Sequence, residues 1–170
     1  MYKRIFLSTL ILINSGCFTN IEDKPKISKL IKRDDIYYMA LQNTKKGEIV
    51  ASFETKGLLI ATYLNPIFNG RDCSICFNTD DGRYFLLGLL INGERDSRFD
   101  REGYSIDLNG LEPIELRKVD RYDPLLKEMP MVNNWCSYYI AKFPKQSGDR
   151  VLLNFKSDRF GEDSLEFLKR

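Results

Sequence analysis

From about Ile36 to the C-terminus, short apolar runs alternate with turn-forming residues, at the spacing of an antiparallel all-β domain. The first run is Ile36 to Leu41, closed by Asn43 and a Lys45-Lys46-Gly47 turn. Glu48 to Glu54 alternates, with Ile49, Ala51 and Phe53 on one side and Val50 and Ser52 on the other. Lys56-Gly57 separates it from Leu58 to Leu64, which Asn65-Pro66 stops. Asp80-Asp81-Gly82 is a hairpin signal leading into Tyr84 to Ile91, a run apolar on both faces and therefore a central, buried strand.

The second half continues the pattern. Glu94 to Gly103 is highly charged and reads as a mobile loop. Tyr104 to Leu108 and Ile114 to Val119 are weaker strands, joined as a hairpin through Asn109-Gly110. Pro124 and Pro130 exclude a long helix over Tyr122 to Met131 and leave room for a short turn at Pro124 to Glu128. Trp135 to Phe143, Arg150 to Lys156 and Ser164 to Leu168 complete about nine strands. No internal repeat is evident, and the long helices that cover a parallel sheet are missing. The pattern predicts a single β-sandwich domain over residues 33–170, immunoglobulin-like or transthyretin-like, with a small β-barrel as the alternative. Trp135 directly precedes Cys136, so the usual immunoglobulin Cys, Trp and Cys spacing is not present.

The N-terminus has a different pattern. Lys3 and Arg4 precede a nine-residue apolar run, Ile5 to Ile13, followed by Asn14-Ser15-Gly16-Cys17. A positive start, a short apolar run and small residues make an export signal, and the run falls short of the about 20 residues that span a bilayer. Ser15, Gly16 and Cys17 resemble, position by position, the lipobox of bacterial lipoprotein signal peptides, while Asn14 stands where an aliphatic residue is usual. The resemblance covers residues 1–17 only. It implies removal of residues 1–16, diacylation of the Cys17 sulfur, and a further acyl chain such as palmitate on the new N-terminus. It also implies an envelope location, at the outer membrane because Phe18 and not Asp follows the cysteine. Residues 17–32, polar and containing Pro25, read as the lipidated cysteine and its tether. An ordinary secretory signal cut near Gly16 is the alternative.

Charge narrows the function classes. Of 26 Lys and Arg and 24 Asp and Glu, Lys3 and Arg4 leave with residues 1–16, so the exported part carries 24 of each sign. A neutral chain lacks the clustered positive excess of an electrostatic nucleic-acid binder. The chain contains no histidine, which excludes Ser-His-Asp and Cys-His catalysis and His-ligated metals.

Three thiols remain after lipidation: Cys73, Cys76 and Cys136. Cys73-Ser74-Ile75-Cys76 precedes a hairpin signal and no βαβ pattern, so it lacks the helix terminus that activates a redox thiolate. A Cys-only zinc site wants four thiolates. Outside the reducing cytosol a structural disulfide is the better reading, with Cys73–Cys76 as a tight local bridge and Cys136 left over. In an extended strand Cys73 and Cys76 would lie about 10 Å apart, out of disulfide reach, and a bridge from one of them to Cys136 is then the alternative.

Asp80, Asp81, Asp96, Asp100, Glu102 and Asp107 cluster in sequence, but Arg83, Arg95, Arg98 and Arg101 interleave with them and no Ca²⁺-loop pattern is present. They read as solvated, salt-bridged loops. Tyr37, Tyr38, Tyr63, Tyr122, Trp135, Tyr138 and Tyr139 are core formers or, where exposed, anchors for a partner. Since Tyr138 and Tyr139 are adjacent in a strand, one of the two is expected outside.

The reading that follows is a non-enzymatic, membrane-anchored envelope lipoprotein. It binds an unidentified envelope protein or helps assemble a surface structure, with no cofactor, metal or nucleic acid. A small-ligand or lipid carrier with a barrel cavity is the second reading, and an exported carboxylate-dependent hydrolase the third.

Overall fold

The computed structural model describes residues 35–69, 77, 79–99 and 103–168. The export signal, Cys17, the tether, Cys73 and Cys76 lie outside the described residues. Eight strands are present among the described residues: β1 (Thr44–Ala51), β2 (Glu54–Tyr63), β3 (Arg83–Ile91), β4 (Tyr104–Leu108), β5 (Glu115–Lys118), β6 (Ser137–Phe143), β7 (Arg150–Ser157) and β8 (Gly161–Leu168). They form two antiparallel sheets, ordered β1-β2-β3-β6-β5 and β4-β7-β8. Three short helices accompany them: α1 over residues 35–42, α2 (Asn65–Phe68) and α3 (Pro124–Glu128). The sheets pack face to face as a β-sandwich and do not close into a barrel.

The interior between the sheets is filled by side chains from both. Leu59, Tyr63, Phe85, Leu87, Leu89 and Phe143 come from the larger sheet; Ile106, Leu153, Phe155 and Phe167 come from the smaller. Phe85 is T-shaped against Phe143 and Phe167, at ring distances of 5.8 and 5.3 Å. A second apolar cluster covers the other face of the larger sheet, where Ile60, Leu86, Tyr138 and Ile140 meet Ala40 of α1, Ile67 of α2 and Leu125 of α3. This is why β3 is apolar on both faces, as a central strand must be. The smaller sheet leaves one face to water, and β7 alternates cleanly, with Val151, Leu153 and Phe155 inward.

The covered outer face also explains Tyr138 and Tyr139. They do point to opposite faces of β6, but both faces are packed, so both rings are buried.

Four expectations change. Ile36 to Leu41 lies in α1, not in a strand: Ile36, Met39 and Ala40 share the inward face at helical spacing, and Tyr37, Tyr38 and Leu41 face out. The C-terminal carbonyls of α1 are satisfied by Asn43 Nδ2 on Met39 O (2.8 Å) and Thr44 Oγ1 on Ala40 O (2.7 Å). Second, Gly47 and Gly57 are strand residues within β1 and β2, and the turn between these strands is Ser52-Phe53, both at positive φ (53° and 64°). At Gly57 an added Cβ would lie 2.8 Å from Tyr104 Cε1, so this glycine marks a close approach of the sheets. Third, Asn109-Gly110 does turn the chain, through positive φ at both residues, but it does not pair the flanking strands. β4 pairs with β7 and β5 with β6, so the chain passes from one sheet to the other. Fourth, the described first part of the charged segment after β3, residues 94–99, is pinned. Buried Ser97 accepts a hydrogen bond from Ile91 N (2.7 Å) and its carbonyl accepts one from Tyr139 Oη (2.8 Å), while Phe99 packs on Tyr139.

Candidate functional site

The aromatic residues divide by exposure. Tyr63 and Tyr139 are core, Tyr138 is buried beneath the α3–β6 loop, and Tyr37 and Tyr38 sit on the outer side of α1. Trp135 and Tyr122 are 78% and 82% exposed, far more than side chains of this size ordinarily are. Trp135 lines a cleft of about 490 Å³ together with Arg95, Asp96, Lys118, Arg121 and Cys136.

The loop that presents Trp135 is organised by Asn133. Its Oδ1 accepts hydrogen bonds from Trp135 N (2.9 Å) and Cys136 N (3.0 Å), an Asx turn that sets the entry to β6. Asn133 N donates to Tyr138 Oη (2.7 Å), which donates back to Asn133 O (3.3 Å). Burial pushes the Tyr138 hydroxyl up to about 12, so it stays protonated as a donor. On the other side, Asp123 caps α3 by accepting from Leu125 N (2.9 Å), with Pro124 at the start of the helix. Asp120 Oδ1 accepts from Tyr122 N (2.8 Å), and Arg121 reaches across to Asn134 O (3.3 Å). The tryptophan therefore stands on a hydrogen-bonded frame.

Two titratable groups of the cleft are shifted from their ordinary values. Asp96 is held below the usual carboxylate range by Lys118 first and by Ser137 Oγ second. Cys136 is a free, buried thiol, and burial pushes its pKa up, which keeps it protonated and a poor nucleophile. Whether Cys73 bridges Cys76 lies outside the described residues.

The acidic residues do not converge. Asp81 pairs with Lys142 (2.9 Å), Asp96 with Lys118, and Asp107 with Lys156 (2.7 Å), at three separate places; Asp100 and Glu102 lie outside the described residues. Among the described residues no group of three His, Cys, Asp or Glu could hold a metal ion. Asp107 is the buried member of this series. Burial raises its pKa, but Lys156, Asn154 Nδ2 (2.7 Å) and Gly110 N (2.7 Å) outweigh that and leave it below the ordinary value.

A depressed folded pKa gives a defined sign. The contribution of Asp107 to stability is complete above the unfolded carboxylate value of about 4, and is lost as pH falls through the lower folded value. Asp107→Asn is expected to cost about 2 kcal/mol at neutral pH and to flatten the acid limb of stability against pH. Urea unfolding of both proteins between neutral and strongly acid pH checks this; an acid limb unchanged by the substitution would refute it.

Tyr122 and Trp135 are legible in the sequence as potential anchors. Arg95, Lys118 and Arg121 are not, since nothing in their spacing distinguishes them from other surface charges; the Asn133-Asn134 pair before Trp135 is the one local signal for the frame. No helix among the described residues is long and apolar enough to cross a membrane. Comparison of the chain with protein-family models, with curated proteins and with solved structures finds no match.

Proposed function

We propose that the chain is a lipid-anchored envelope protein, attached to the outer membrane through acylated Cys17, whose β-sandwich binds a protein partner through the Trp135 cleft. The observation that carries the binding role is an indole 78% exposed on a loop ordered by Asn133. Exposed tryptophans that are already ordered lose little entropy when a partner covers them, and residues of this type dominate binding energy at interfaces. Arg95 and Arg121 line the same cleft as the ring, so the fitting surface offers an apolar socket with carboxylates at its edge.

The other two readings have less support. A carrier needs a cavity, and the space between the sheets is occupied by Tyr63, Phe85, Phe143 and Phe155. A hydrolase acid needs a raised carboxyl pKa, whereas Glu54, Asp81, Asp96 and Asp107 are all lowered.

The test is capture from detergent-solubilised envelope by the full-length lipidated protein, compared with Trp135→Ala. Loss of the ring is expected to weaken retention of the partner by about 2 kcal/mol, and the exposed position leaves thermal stability unchanged. Capture of the same proteins in the same yield by Trp135→Ala would refute the assignment of this face.

A further inference from the structure

Arg83 opens β3 and is only 5% exposed. Its Nη2 donates to Gln146 O (3.1 Å), but Nε has no partner, and no carboxylate among the described residues pairs with it. Beside it is Tyr63, the last residue of β2 and fully buried, whose hydroxyl also has no hydrogen-bond partner. The hydroxyl lies within reach of the guanidinium: burial raises its pKa, and the Arg83 charge and a direct side-chain contact from Arg83 to the hydroxyl oxygen pull it partly back, while the hydroxyl hydrogen has no acceptor. The ring is fixed by stacking on Phe85 at 4.9 Å.

Both side chains line a pocket of about 290 Å³. Asn65 forms part of its wall, but its amide is already committed to Gly82 O (2.8 Å), Thr79 O (3.2 Å) and Tyr84 N (2.7 Å), so it shapes the pocket and leaves no polar group spare. Lys145 and Asp80 are exposed at the mouth.

A guanidinium cannot shed its proton to escape burial, and an unpaired buried charge is costly. Tyr63 and Arg83 present two unsatisfied donors on one small, formed pocket. The planar fork of an arginine matches the two oxygens of a carboxylate or phosphate, and a neighbouring hydroxyl adds a third bond to the same group.

We propose that this pocket binds a small oxyanion, with Arg83 Nε and Tyr63 Oη as its direct donors and Lys145 as a guide at the mouth. The ligand is a carboxylate-bearing small molecule or a phosphate, and its size is limited by the pocket volume. This site is separate from the Trp135 cleft, shares no residue with it, and does not depend on the protein-binding reading.

The experiment follows thermal unfolding of the full-length protein in a neutral sugar-headgroup detergent. Inorganic phosphate and sodium acetate are titrated separately at constant ionic strength, with chloride as the balance. One of the two probes is expected to raise the unfolding midpoint progressively with concentration, as a ligand of the native state must. The stronger response identifies the source as phosphate or carboxylate. Tyr63→Phe keeps the stacked ring and is expected to weaken the apparent affinity about tenfold, the scale of one hydrogen bond to a charged group. Arg83→Met is expected to abolish the response. The proposal is overturned if neither probe shifts the wild-type midpoint beyond chloride, or if folded Tyr63→Phe responds with wild-type affinity.

Discussion

Gly57→Val lowers the stability of the sandwich by about 3 kcal/mol, at the upper end of the usual cost of overpacking a core. Gly57 lies in β2 between Ile49 of β1 and Ile91 of β3. A Cβ there would stand 2.8 Å from Tyr104 Cε1, closer than real Cβ atoms come, and 3.0 Å from Phe155 Cζ, tighter than nearly all real contacts. Neither ring is free to turn aside. Both are buried, they stack on each other at 5.8 Å, and the Tyr104 hydroxyl is tied to Lys56 O (3.1 Å). Valine therefore wedges the two sheets apart. Its better strand propensity returns at most about 1 kcal/mol, too little to reverse the sign. The urea midpoint should fall while the slope stays constant, which reports a loss of stability without a change in the surface exposed. A midpoint equal to or above that of the unsubstituted protein would mean that the glycine serves only local chain geometry.

The same residue shows where sequence reasoning stops. Lys56-Gly57 reads as a turn because glycine after a charged residue usually is one, yet its meaning here is set by Tyr104 and Phe155, about fifty and one hundred residues away. Period-two alternation is local, so β7 and the buried β3 are visible in the chain itself, and so is the β-sandwich class. Pairing is not local. Nothing near Asn109-Gly110 reveals that β4 and β5 belong to different sheets. Ile36 to Leu41 misleads for another reason. Six consecutive apolar or aromatic residues carry no clear period, and the choice of helix is made by the face of the larger sheet that Ala40 helps to cover. The sites follow the same division. Trp135 announces itself as the single tryptophan, whereas Arg83 looks like one of many charges in an acidic stretch and is buried only by the strands around it.

Cys17→Ala is expected to abolish acylation, and with it attachment through acyl chains, while leaving the sandwich folded. The anchor energy resides in acyl methylenes, each worth about 0.8 kcal/mol when buried, and one chain alone holds a protein only marginally. If the diacyl unit sits on the Cys17 sulfur, replacing that sulfur removes both chains in one step. By the lipobox resemblance of Ser15-Gly16-Cys17, it also removes the modified residue at which the signal is cut. The uncut precursor should therefore accumulate, and incorporation of labelled palmitate should fall to background. Among the described residues the two cores begin at Ala40 and Ile49, so the unfolding free energy of the sandwich is expected to change by less than about 1 kcal/mol. Three measurements on one variant thus separate the anchor from the fold: mass of the chain, label incorporation and unfolding midpoint. Normal cleavage and release of Cys17→Ala would assign residues 1–16 to an ordinary secretory signal and leave Cys17 as a plain thiol. The binding face proposed at Trp135 would then work from a domain released from the membrane, where affinity for a partner no longer gains from confinement at the membrane.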